Sequence, residues 1–452
     1  MAEWVRDLEF PRLDVPITVD AVYTVAPAGP FPAARGDSLY LSNLDDMVGS
    51  RLFTPTVYFY PPEKGRVQGV GKIFRRALAD VLVPYYPLSG RLRETREGKL
   101  EVFFGPDQGA LMVEARSSLR LADLGDLRVP NPAWAPLIYR FKDEGPYQVV
   151  HMPLVIAQLT TFVCGGFCLG LRVCHCLCDG LGAMQFVDAW ATLARVGPGG
   201  RIAPSPCWDR EFFRPRVPPR VEFPHAEFAS VEEGSSLGFI LRETKLVQKC
   251  YSVGEEFRTR LKRLAQTDGE PARTGFDALA AHVWRSWVRA IEIRPLDYEL
   301  RLTFSVNVRP KLRAPPVKEG FYGNALCVAC ATSTAAALAG GTLAAAAGRV
   351  REARVAVTEE YVRSTVDYVE AYRPTRLEFA GKLSITQWTR FSMYESSDFG
   401  WGRPLYAGPI DLTPTPQMCV FLPDGDGGSL VVWICLPEYA TAKFGECLSQ
   451  LN

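Results

Sequence analysis

The chain has 452 residues, of which 47% are hydrophobic and 22% charged, with 51 basic against 50 acidic side chains and a net charge of +1. This is the composition of an ordinary globular protein, too long for one small core, and two domains of about 200 residues are the natural expectation. The balanced charge gives no footprint for nucleic acid or an anionic membrane, and no run of about 18 apolar residues offers a membrane span.

In chain order, residues 1–36 read as an opening strand and a loop carrying Pro27, Pro30 and Pro32, with neither signal-peptide nor transit-peptide character at the start. Residues 54–60 form a strand, 70–83 a helix entered from Gly69, and 99–104 another strand after the break at 84–92. Residues 162–173 are apolar and β-prone, with Gly165, Gly166 and Gly170 permitting close approach of another backbone or a ligand. The period then changes: Leu181, Met184, Val187 and Trp190 share one side of a helix that Gly197-Pro198-Gly199-Gly200 stops. Strands interleaved with helices indicate an α/β layer architecture.

Residues 196–234 are rich in proline and charge with little apolar periodicity, which marks a crossover between a first domain, 1–195, and a second, 235–452. In the second, 239–250 read as a strand, 255–267 and 275–291 as helices, and 302–308 as a strand. The alanine-rich stretch 335–357 forms helices broken at Gly340-Gly341, and 359–371 continues helical. After a turn at 424–428 come a strand, 430–435, and a closing helix, 438–451.

The chain has four histidines, and imidazole is the side chain that most often serves as a general base near neutrality. His151, His225 and His282 lie beside Met152-Pro153, in a proline-rich loop and inside a helix-like run. His175 differs: glycines precede it, Asp179 follows four residues on, and a helix begins behind it in the run HCLCDG. A buried strand therefore delivers a histidine to a strand-to-helix turn, where α/β proteins commonly place their chemistry. Cys174, Cys176 and Cys178 flank it and raise a nucleophile alternative, but on an extended segment they face away from the imidazole. The twelve cysteines fit neither a disulfide framework nor a zinc site: Cys327 and Cys330 form a CxxC with no second pair. Reduced, structural thiols suit a cytoplasmic protein.

HCLCDG resembles the HxxxD motif of the BAHD family of plant acyl-CoA-dependent acyltransferases, and Ser397-Asp398-Phe399-Gly400-Trp401-Gly402 resembles that family's DFGWG, with Asp398 219 residues after Asp179. SLYLSNLDD, TPTVYFYPP, ADVLVPYYPLSGRLR, SVNVRPKL and GFYGN look like further family landmarks in their expected order. The resemblance implies an α/β fold of two similar chloramphenicol-acetyltransferase-like domains, each a mixed sheet with helices, around a solvent channel. It implies transfer of an acyl group from acyl-CoA to an alcohol in a ternary complex, with no metal and no permanently bound cofactor. A hydroxycinnamoyl donor is expected first, then benzoyl or acetyl.

By the same resemblance His175 is the base, Asp179 pairs with Arg309 to fix the turn, and Asp398 is a motif residue of structural role, although a triad-like role for Asp179 is the alternative. Thr386 and Trp388, two apart on one strand face, match positions that line the reacting centre and bond an oxyanion. Arg373, Arg376 and Lys382 do not reproduce the arginine-bearing stretch of relatives that use shikimate. An amine acceptor is one alternative function. The other is a non-catalytic homologue that modulates a fatty-acyl elongation partner, although such relatives carry a degraded DFGWG and this one is intact. The expectation is a cytoplasmic monomer that binds acyl-CoA and a small alcohol or amine.

Overall fold

The computed structural model describes residues 5–8, 10, 13–30, 38–62, 69–105, 108–145, 148–229, 236, 240, 243–375, 381–412, 417–424 and 428–451. Its strands are β1 (Val5–Leu8), β2 (Thr18–Val25), β3 (Ser38–Tyr40), β4 (Phe53–Tyr60), β5 (Arg91–Glu94), β6 (Leu100–Phe103), β7 (Ala110–Ser117), β8 (Val155–Phe162), β9 (Phe167–Cys174), β10 (Leu246–Gly254), β11 (Glu299–Asn307), β12 (Leu326–Thr334), β13 (Lys382–Gln387), β14 (Tyr406–Pro409), β15 (Met418–Pro423) and β16 (Ser429–Pro437). The helices are α1 (Val70–Val81), α2 (Gly180–Val196), α3 (Glu255–Leu264), α4 (Gly275–Ile291), α5 (Ala335–Gly340), α6 (Leu343–Ala356), α7 (Glu359–Tyr372) and α8 (Thr441–Ser449).

Among the described residues, two mixed sheets carry the architecture. One, in the order β14-β4-β9-β8-β7-β2, belongs to the first half of the chain, and its β7–β8 pair is parallel. The other, β1-β10-β16-β15-β13-β11-β12, belongs to the second half and is parallel at β11–β13 and β13–β15. Each half lends one edge strand to the other: β1 pairs with β10, and β14 pairs with β4. The halves are thereby joined by backbone hydrogen bonds as well as by side chains.

Helix signals in the sequence act where they stand. Thr274 and Asp277 form a reciprocal capping box that opens α4, and the hydroxyls of Thr334, Thr342 and Thr358 cap α5, α6 and α7. Asp179 caps α2, and Gly197 ends it at φ +86°. The helix buries Met184, Phe186, Val187, Trp190 and Leu193 against α1 and the first sheet, each contributing roughly 1.5–3 kcal/mol. A separate core fills the second half around Trp284 and Trp287 of α4.

Beyond shifts of a few residues at element ends, two expected elements differ from the observed ones. The apolar stretch 162–173 is not one strand but the end of β8, a turn at 163–166 and most of β9: the two strands pair antiparallel as a hairpin, and the Phe162 carbonyl accepts from Gly165 N at 2.9 Å to close the turn. Both arms are buried on both faces, which hides the alternation that would have separated them. The strand expected over 239–250 begins only at Leu246, because Ile240 and Glu243 are helical; Phe239 lies outside the described residues. Also outside them are Met1, Pro32, Arg376, and Gly425–Gly427 of the expected turn.

Candidate active site

The central strand β9 ends at Cys174, and the chain turns before α2 begins at Gly180. The His175 amide donates to the Leu52 carbonyl at 2.9 Å, and the Leu177 amide to Cys174 O at 3.0 Å. The imidazole is half-buried, and its buried Nδ1 has no hydrogen-bond partner among the described residues. Asp179 is only 1% exposed, and none of its described hydrogen bonds goes to the imidazole. Its Oδ1 accepts from Gly182 N at 3.0 Å and Arg309 Nη2 at 3.1 Å, while Oδ2 accepts from Arg309 Nη1 at 2.7 Å and Ala325 N at 3.1 Å. With four donors on two oxygens, this carboxylate is saturated.

Reading the motifs one at a time misses three further residues that hold this turn. Asn324 Nδ2 donates to the His175 carbonyl at 2.7 Å and to Asp45 Oδ1 at 3.0 Å. Asp45 also accepts from the Ser42 hydroxyl at 2.6 Å and faces Arg210 Nε at 3.5 Å. Arg210, from the stretch between the halves, donates to the Leu177 carbonyl and lies over the Trp208 ring at 3.5 Å. SLYLSNLDD and GFYGN carried the signal only as family landmarks; their meeting point is tertiary. Gly182 permits the meeting, because a Cβ there would stand 1.9 Å from the Tyr322 carbonyl oxygen.

Asp398 sits elsewhere. Its Oδ1 accepts from the amides of Gly400, at φ +104°, and Gly402, at φ +75°, over 2.8 and 2.9 Å. Its carbonyl accepts from Arg195, in the last turn of α2, at the opposite end from His175. Seventeen residues of helix separate the two points, about 25 Å. Phe399 stacks on Phe74 of α1 at 4.5 Å and meets Trp190 edge-on at 5.2 Å, so the loop docks on the first half's helix pair.

Thr386 lies in β13, but the strand ends at Gln387, so Trp388 leaves it while still donating its amide to Phe421 O at 2.8 Å. The Thr386 hydroxyl meets only Met418 Sδ, at 4.0 Å, among the described residues. Trp388 packs on Phe391 at 5.6 Å, and Phe391 abuts Gly180, where a Cβ would stand 2.3 Å from the ring. The structure thus gathers His175, Asp179 and Arg309 at one turn, brings Trp388 beside it through Phe391, and places Asp398 apart.

Residues 15–451 match the sequence profile described as the Transferase family. The chain is 34% identical to omega-hydroxypalmitate O-feruloyl transferase of Arabidopsis thaliana, over 93% of this chain and 91% of that one. It is 33% identical to fatty alcohol:caffeoyl-CoA acyltransferase of the same plant, over 90% and 92%. The chain belongs to the BAHD transferase family. Its fold is similar to the crystal structure of vinorine synthase, with a TM-score of 0.71 at 20% identity over 95% of this chain and 96% of that one.

The remaining histidines of this BAHD acyltransferase are engaged or peripheral. His225 bonds Glu227 and Ser364, each at 2.8 Å, and His282 bonds the Leu448 carbonyl at 2.9 Å. His151 is exposed against Phe103. All twelve cysteines are unbridged. The Cys176 thiol is pushed well up by its contact with Cys174 and by burial, and that of Cys178 by burial and the Asp179 charge. That is the opposite of an activated nucleophile. Among the described residues no helix is long and apolar enough to cross a membrane.

A cleft of about 470 Å³ runs along α2 at the seam between the halves. Leu181, Met184, Gln185 and Asp188 line it from the helix, with Arg309 and Phe321 opposite. Burial raises the Asp188 carboxyl above its ordinary value. The helix that begins after the His175 turn therefore forms one wall of a cleft whose other wall comes from the second half.

Proposed function

We propose that this BAHD enzyme transfers a hydroxycinnamoyl group from its coenzyme A thioester to an alcohol, with His175 as the general base. The observation that carries the reading is the half-buried His175 at the seam, on a turn whose carboxylate is fully committed to Arg309 and two backbone amides. The imidazole Nε2 takes the acceptor hydroxyl proton as its oxygen attacks the thioester carbonyl. The tetrahedral intermediate collapses with cleavage of the C–S bond, and the imidazolium returns the proton to the departing thiolate. No covalent enzyme intermediate is required.

Asp179 and Arg309 fix the turn, Thr386 and Trp388 stand toward the oxyanion, and Asp398 holds its loop. The two named plant relatives use feruloyl and caffeoyl groups with long-chain acceptors, which favours a hydroxycinnamoyl donor and a fatty alcohol or ω-hydroxy acid here. The same reading has domains at 1–195 and 235–452 joined by the 196–234 crossover, and a cytoplasmic monomer, in keeping with twelve unbridged thiols.

The test is a matrix of feruloyl-, caffeoyl-, benzoyl- and acetyl-CoA against fatty alcohols, an ω-hydroxy fatty acid and amines, followed by thiol release and product mass. Ester formed fastest from feruloyl- or caffeoyl-CoA is the expected result. Amide as the sole product, or no turnover anywhere, would overturn it.

A further inference from the structure

We infer that Asn324 is a positioning residue for His175, holding the base from the other half of the molecule. The inference rests on the reading of His175 as general base.

In a triad, a carboxylate on Nδ1 sets the ring. Here Asp179 is occupied by Arg309 and two backbone amides, and His175 Nδ1 has no partner among the described residues. Ring placement then depends on packing and on the backbone from which the side chain springs. That backbone is held on both sides: its amide by the Leu52 carbonyl at 2.9 Å, and its carbonyl by Asn324 Nδ2 at 2.7 Å.

The holding amide is itself fixed. One Nδ2 hydrogen serves His175, and the other serves Asp45 Oδ1 at 3.0 Å, which also accepts the Asn324 backbone amide at 2.9 Å. Asp45 is fully buried at 0% exposure, its second oxygen bonded by Ser42 N and Oγ and facing Arg210. A buried amide with both hydrogens committed has one available orientation. Since Asn324 precedes β12 in the second half and His175 follows β9 in the first, this hold on the His175 carbonyl exists only while the halves are docked.

The experiment compares wild type, His175→Ala, Asn324→Ala and Asn43→Ala with feruloyl-CoA and a fatty alcohol. Asn43 is the control: it too is buried and spans the seam, donating to Val366 O at 2.8 Å and Glu370 Oε2 at 3.0 Å, without touching the His175 turn. A misplaced base lowers kcat with little effect on substrate binding, so Asn324→Ala is expected to lose about 100-fold in kcat with both KM values within about 3-fold. Its pH–rate profile should shift, whereas Asn43→Ala keeps kcat within about 3-fold and the wild-type profile.

Equal losses in the two asparagine variants, or a raised KM with kcat intact, would overturn the positioning role. If His175→Ala turns over like wild type, the base reading itself falls; if it is inactive while the asparagine variants match, only this inference falls. Should Asn324→Ala not fold, Asn324→Ser, too short to span to the carbonyl, enters the same assay. Failure of both to fold assigns Asn324 to the fold and overturns the inference.

Discussion

Arg309 grips Asp179 through both terminal nitrogens, at 2.7 and 3.1 Å, across a sequence separation of 130 residues. This pair joins the base-bearing turn of the first half to the segment behind β11 in the second. Breaking a buried pair from one side leaves the other charge uncompensated. Arg309→Ala and Asp179→Ala are each expected to cost about 3 kcal/mol, with the double variant costing clearly less than their sum. Urea unfolding of the four proteins measures the coupling. Additive losses would mean the pair carries no shared stability.

The Asp398 carboxylate serves through one oxygen, which accepts from Gly400 N and Gly402 N. An amide oxygen can do the same. Asp398→Asn is therefore expected to keep thermal stability and kcat near wild type, while Asp398→Ala loses about 1–3 kcal/mol by stranding both amides. Loss of activity in Asp398→Asn at unchanged Tm would assign the charge a part in the chemistry.

His282, on α4, is held neutral: burial pushes its pKa down to about 4, against which the bond to Leu448 O works only partly. A histidine depressed in the folded state binds protons preferentially when unfolded. Its contribution is therefore complete above pH 6.5 and lost as pH falls from there toward 4, for at most about 3 kcal/mol. Chemical unfolding at intervals from pH 7 to 4 should show that slope, and His282→Gln should flatten it. An unchanged slope in the variant would place the acid sensitivity elsewhere.

The buried, raised thiols of Cys176 and Cys178 are expected to resist iodoacetamide in the native protein and to react on unfolding. Cys178→Ala should keep turnover within about 3-fold while costing about 1 kcal/mol of stability. Loss of all turnover at unchanged stability would reopen a cysteine nucleophile.

Local signals fared best in the sequence. The Gly197 stop and the Gly340-Gly341 break lie at the helix ends they set, and those helices stand at or within two residues of the expected limits. The His175 turn was legible for the same reason: strand, histidine, aspartate and helix start are contiguous. The β8–β9 hairpin was not, because strands buried on both faces lose their alternation. Neither was the exchange of β1 and β14 between sheets, since four-residue strands carry little pattern and their partners are remote. Asn324, Asp45 and Arg210 were out of reach because the His175 carbonyl they help fix draws on segments up to 279 residues apart.

The most direct test is rapid-quench measurement of free thiol on mixing the enzyme with feruloyl-CoA, with and without a fatty alcohol. Direct attack assisted by His175 predicts thiol release only when the alcohol is present, at a rate that His175→Ala lowers by about 100-fold or more. One equivalent of thiol released per enzyme without alcohol, with the feruloyl group retained on the protein, would contradict it.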